Sequence, residues 1–175
     1  MYKRQEFSQR FRRSPDQDPE ELFFLGTGIA QGVEFLLQKK TGKLNGWLSY
    51  TQGKVEYTFD AFEDGNPFPA DQDRRHEIKW VNSLALGKWN LAATWVYATG
   101  SPFTEPQNQY NISLLDGREI SFIHVGPKNG NRLPAYHRLD LSAARQFSTD
   151  KMYFDLGISI FNFYNNSNVW YREYI

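Results

Sequence analysis

The strongest constraint in this sequence is a period of two that persists through run after run. Met152, Phe154, Leu156, Ile158 and Ile160 alternate with Tyr153, Asp155, Gly157 and Ser159. Ile78, Trp80, Leu84 and Leu86 alternate with Glu77, Lys79, Val81 and Ser83, and Trp89, Leu91, Ala93, Trp95 and Tyr97 follow on one face. Leu139, Leu141 and Ala143 stand against Arg138, Asp140 and Ser142, and Val33, Phe35 and Leu37 are interleaved with Glu34 and Gln38. Side chains alternate across a strand, so each run has an apolar and a polar face and reads as strand, not helix. The predicted fold class is all-β.

The connections sharpen this. Lys40-Thr41-Gly42-Lys43, Gly87-Lys88 and Thr149-Asp150 are short turns, whereas 60–74 and 100–134 are long and carry Pro, Gly, Asn and Asp. In the longest of these, Asp116-Gly117 separates Tyr110–Leu115 from Arg118–Ile123 and predicts a further hairpin. Soluble β-sandwiches use strands of about five or six residues. The strands here are roughly twice as long, as a tilted strand must be to cross a bilayer. Short turns alternating with long loops are the pattern of outer-membrane barrels. The spacing predicts an antiparallel up-and-down meander of about six to seven transmembrane strands, fewer than the eight or more of a closed single-chain barrel and therefore a partial transmembrane β-barrel. Two rivals remain: a passive outer-membrane pore and a soluble carbohydrate-binding β-sandwich.

Turn positions predict register. The Gly87-Lys88 turn pairs Leu84 with Leu91, Trp80 with Trp95 and Ile78 with Tyr97 on the apolar face, and Lys79 with Val96 on the other. Thr149-Asp150, taken as a two-residue loop, pairs Phe147 with Met152, Ala143 with Leu156, Leu141 with Ile158 and Leu139 with Ile160. The polar partners are then Gln146 with Tyr153, Ala144 with Asp155, Asp140 with Ser159 and Arg138 with Phe161. Lys79 and Asp140 belong on a wetted side, since on a lipid side each would cost a few kcal/mol. Unpaired edges are expected near Tyr2–Phe11 and Asp155–Tyr164.

Composition narrows the function classes. The 175 residues carry 20 basic and 20 acidic side chains, a balance without the cationic excess of a nucleic-acid binder. Cysteine is absent, which excludes a disulfide framework, a thiolate metal site and a cysteine nucleophile. No stretch of 18 apolar residues predicts a transmembrane helix, and Met1–Glu6 lacks the apolar core of a signal peptide. His76-Glu77 opens like a zinc-protease helix, but position 80 is Trp and the segment alternates, so no metal is expected. Gly26-Thr27-Gly28 with Gly32 has the wrong spacing for a dinucleotide loop. Asp71-Gln72-Asp73 and Asp16-Gln17-Asp18 lack the glycine and distal glutamate of a calcium loop and read as solvated loop acids. No carboxylate pair is specified for acid–base work, so neither an enzyme nor a cofactor is expected. The candidate ligand-binding residues are the loop aromatics Phe62, Phe68, Phe103, Tyr110 and Phe122, with His124.

Several motifs then resemble consecutive strands of TonB-dependent outer-membrane receptors. They are Gly26-Thr27-Gly28 with Gly32-Val33-Glu34, Gly46-Trp47-Leu48-Ser49-Tyr50-Thr51, and Phe68-Pro69-Ala70 with Asp73-Arg74-Arg75-His76. Ala98–Thr104, Arg132–Ser142 and the closing Phe161–Asn165 with Asn168–Tyr171 continue the series in order, the last resembling the family's penultimate strand. The family barrel has about 22 strands and a plugged lumen. The resemblance implies that residues 1–175 are a C-terminal fragment of the barrel domain, without plug domain or final strand. It implies an outer-membrane location, lipid and a TonB energy-coupling protein as partners, and energised uptake of a scarce ligand. That ligand would be an iron–siderophore, cobalamin or an oligosaccharide, which barrel-strand motifs do not distinguish.

Overall fold

The computed structural model describes residues 2–10, 23–115, 117 and 119–173. The Asp16-Gln17-Asp18 cluster, Phe11, and the Asp116 and Arg118 positions of the loop hairpin lie outside the described residues. In chain order the strands are β1 (Tyr2–Arg10), β2 (Phe23–Lys39), β3 (Leu44–Phe59), β4 (Phe68–Pro69), β5 (His76–Leu86) and β6 (Trp89–Ala98). They continue with β7 (Pro102–Phe103), β8 (Pro106–Ser113), β9 (Glu119–Val125), β10 (Asn131–Arg132), β11 (Tyr136–Ser148) and β12 (Tyr153–Ile160). The fold is all-β. Among the described residues the single helical feature is a 3-10 turn at Glu63–Gly65.

Seven long strands form one sheet in the order β1-β2-β3-β5-β6-β11-β12, with β4 added against β3. Every pairing is antiparallel, so the sheet is a meander interrupted only where the chain leaves after β6 and returns as β11. The sheet is open. Among the described residues β1 and β12 each have one neighbour, which makes them its edges. On the excursion between β6 and β11, β8 and β9 form a separate two-stranded hairpin and β7 pairs with β10.

The β5–β6 register is the one its turn dictates: Leu86 opposes Trp89, Leu84 opposes Leu91 and Trp80 opposes Trp95. Gly87, with φ of +61°, supplies the left-handed residue that so tight a turn requires. The β11–β12 pairing is corrected. Ser148 opposes Tyr153, Phe147 opposes Phe154, Ala143 opposes Ile158 and Leu141 opposes Ile160, a displacement of two residues from the expected partners. The loop is four residues long because Thr149 closes it. The Thr149 backbone N–H donates to the Met152 carbonyl at 2.8 Å, and the Met152 N–H donates to Thr149 Oγ1 at 3.1 Å. Phe147 stacks on Phe154 at 5.1 Å between ring centroids, an aromatic pair that a two-residue loop would separate. A slip of two leaves every side chain on its predicted face, where a slip of one would have inverted them all.

Phe161–Asn165 and Asn168–Tyr171, where the resemblance implied a further strand, form none. Asparagines bond the backbone of β11 there instead. Asn168 Oδ1 accepts from the His137 N–H at 3.0 Å, and the Nδ2 groups of Asn166 and Asn168 each donate to the His137 carbonyl at 3.1 Å, while the Asn162 backbone N–H donates to the side-chain Oδ1 of Asp140 at 2.9 Å.

Register places Leu48, Trp80, Leu84, Leu91, Trp95, Leu139, Leu141, Leu156, Ile158 and Ile160 on one face. Lys79, Ser83, Asp140, Asp155 and Ser159 lie on the other. A sandwich would bury the apolar face under a second sheet. Here Leu37 is 73% exposed, Leu156 67% and Ile158 67%, and no second sheet covers them among the described residues. The buried apolar residues Phe59, Phe68, Ala70, Ala98 and Leu133 instead gather at the end of the sheet where the long loops are.

Candidate functional site

The long loops fold onto the ends of β3, β5, β6 and β11, and one buried carboxylate fastens them. Asp73 has no exposed surface. Its Oδ1 accepts from the Val55 N–H of β3 at 2.6 Å, and its Oδ2 lies 3.0 Å from Arg75 Nε and also meets Arg132 Nη2. Arg132 Nη1 donates to the carbonyls of Asp73 at 3.0 Å and Gly100 at 3.2 Å. A carboxylate leaves water only where charge and hydrogen bonds replace its hydration, and two guanidinium groups with a backbone N–H do so here. The expectation of a solvated loop acid is therefore corrected for Asp73. Its partner Arg132 is far away in sequence, a link that no local pattern shows. Gly100 makes the approach possible: a Cβ there would stand 1.7 Å from the Leu133 carbonyl oxygen.

The six candidate ligand residues separate into three settings. Phe68 is buried and stacks on Phe59 at 6.1 Å, and half-buried Phe62 meets Phe59 edge-on at 5.7 Å. These two rings pack the 60–75 loop against β3. Phe103 lies in β7 with the Arg172 guanidinium 5.5 Å from its ring centre. Tyr110, Phe122 and His124 are exposed together on one face of the β8–β9 hairpin, where Tyr110 opposes Phe122 and Asn108 opposes His124. The two rings stack at 5.5 Å and 14°, forming a flat platform with His124 and Asn108 at one end and Ile112 and Ile120 at the other.

The apolar face has aromatic borders. Toward the loops, Phe35, Tyr50 and His76 stack in a row, with the Tyr50 hydroxyl 2.9 Å from His76 Nδ1. Farther along the same face of β3 come Gln52, Lys54 and Glu56, the last two ion-paired. Trp95 Nε1 donates to the Tyr164 hydroxyl at 3.2 Å, and that hydroxyl is 2.9 Å from His137 Nδ1. Toward the short turns, Trp89, Phe147 and Phe154 mark the other border. From Trp89 to Tyr97 the chain runs on the order of 25 Å at strand pitch. Beside the loop-end border, a cleft of about 540 Å³ opens where Gly32 faces Gly53, lined by Gln31, Gln52, Lys54, Arg75 and His76. Its groups can hold a polar or anionic ligand by hydrogen bonds. Among the described residues no three His, Cys, Asp or Glu side chains converge as metal ligands would.

The histidine–tyrosine pairs at the border were not singled out from the sequence. Strand parity could have found them, because His76 and His137 fall on the apolar face at its loop end. No protein-family model, curated protein or solved structure matches the chain.

Proposed function

We propose that the chain is part of the wall and outer loops of a TonB-dependent outer-membrane receptor, which takes up a scarce ligand with energy delivered through a plug segment. The observation that carries this reading is the exposed apolar face, continuous from β2 to β12 and bordered by aromatic side chains on both sides. An exposed apolar area of this extent marks a surface that meets a membrane or another chain, and aromatic girdles at both borders favour the lipid-facing band of an outer-membrane wall. The short turns then belong to the periplasmic side and the folded loops to the outside. On the opposite face the ion pairs Glu77–Lys79 and Arg138–Asp140 line a wet lumen. Ligand contact falls to the β8–β9 platform of Tyr110, Phe122 and His124, while Phe62 and Phe68 keep the neighbouring loop folded. No chemistry is assigned to the chain.

Two observations test the assignment. Genomic DNA encoding a plug domain in frame ahead of Met1 is expected, and its absence would favour the passive pore. Purification is expected to depend on detergent. A chain recovered monomeric from the soluble fraction without detergent would overturn the membrane reading in favour of the soluble sandwich.

A further inference from the structure

We propose that the short-turn end of the apolar face binds an anionic glycerophospholipid, with Arg145 holding the phosphate and the groove beside it taking an acyl chain. The proposal rests on the membrane reading above. Its first support is charge. The three short turns and their flanks carry Lys39, Lys40, Lys43, Lys88, Arg145 and Lys151 against the single acid Asp150. At the opposite end, segments 60–75 and 99–135 carry eight acids against five bases. A chain with zero net charge is therefore strongly polarised along its strands, and its cationic end matches an anionic headgroup layer.

The second support is position. The turn lysines stand at the same level but belong to the other face: the Ala85 N–H donates to the Lys43 carbonyl at 2.8 Å and the Gln146 N–H to the Lys88 carbonyl at 2.9 Å, which sets both in register with residues of the polar side and leaves the mouth of the groove to Arg145. Arg145 faces the apolar side, its guanidinium 5.4 Å from the Trp89 ring centre and 5.0 Å from that of Phe147. An aromatic shelf under the guanidinium holds its charge at interface depth. Arg145 forms no ion pair among the described residues, so no carboxylate competes with a phosphate.

The third support is a groove of about 450 Å³ that begins one residue pair farther from the turns. Leu44, Leu84, Leu91, Leu141 and Ile158 line it, and Ala93 and Ala143 leave it room. Ala143 is the next residue after Arg145 on that face of β11, which puts the cation at the mouth of the groove. Phosphate at the mouth and chain in the groove is the geometry of one lipid molecule.

The test uses the 175-residue chain in neutral detergent micelles, titrated with phosphatidylglycerol or phosphatidylcholine carrying brominated acyl chains that quench tryptophan. Trp80, Trp89 and Trp95 all lie on the apolar face as reporters. Phosphatidylglycerol should quench at a concentration on the order of tenfold lower than phosphatidylcholine, with the advantage shrinking in high salt. Arg145→Gln should lose the advantage, and Arg145→Lys and the double variant Lys43→Gln, Lys88→Gln should keep it, with unchanged far-ultraviolet circular dichroism in all three. Equal quenching by the two lipids overturns the lipid site and leaves the membrane reading standing. So does an advantage that survives Arg145→Gln. Quenching by neither lipid overturns the membrane reading itself.

Discussion

Asp73 and Gly100 show how much of the loop end hangs on single residues. Asp73 joins Arg75, Arg132 and the Val55 N–H with no exposed surface of its own. Asp73→Asn keeps the shape but leaves Arg132 facing a neutral group. Breaking a buried pair costs roughly 3–5 kcal/mol, and because both arginines are about a third exposed, the loss expected here is nearer 2 kcal/mol. Limited proteolysis should show it as faster cleavage within 126–135 while the strands stay protected. Gly100→Ala should be at least as disruptive, since its Cβ would meet a carbonyl oxygen that cannot turn aside. Neither role was legible in the sequence. Asp73 sat in an ordinary polar loop, and its burial follows from Arg132, a partner brought near only by the fold of the whole loop end.

At the scale of elements, alternation is a reliable guide because parity survives errors of register. The β5–β6 pairing was readable residue by residue, since a glycine in a two-residue turn leaves one solution. The β11–β12 pairing was not, because Thr149 can either occupy a two-residue loop or close a four-residue one. Its hydroxyl decides for the second. The chain lacks cysteine, so introduced pairs can be cross-linked without background. Ser142→Cys with Ser159→Cys, directly opposed, should oxidise readily to a disulfide. Asp140→Cys with Ser159→Cys, offset by two residues, should remain reduced under the same conditions. Mobility on a non-reducing gel separates the outcomes, and the reverse result would restore the shorter loop. The β8–β9 hairpin was legible for the same kind of reason, from a turn glycine between two runs with β propensity. The stretch 161–173 was not, because asparagine side chains there replace strand pairing, and such bonds leave no period in a sequence.

For the molecule as a whole, openness governs what the chain does alone. Backbone groups unpaired in hydrocarbon cost several kcal/mol each, and β1 and β12 leave two such edges. Liposomes reconstituted with the purified chain should therefore show no discrete conductance steps. Reproducible channels would mean that the sheet closes, alone or with copies of itself, and would favour the passive pore. The sequence foretold the sheet's meander, its two faces and its short turns, because each is set by neighbours within one or two strands. It did not foretell how the loops pack or where the aromatic borders fall, because those depend on which strands stand side by side. In the proposed wall, one face of this sheet meets hydrocarbon and the other water. The direct measurement is spin-label accessibility in detergent micelles along β6, with cysteine placed in turn at Leu91, Ala92, Ala93, Thr94, Trp95 and Val96. Oxygen, which concentrates in the apolar phase, should relax the labels at 91, 93 and 95 preferentially, and a water-soluble nickel chelate those at 92, 94 and 96. The same oxygen-to-nickel ratio at all six positions, or an alternation with the opposite phase, would contradict the account.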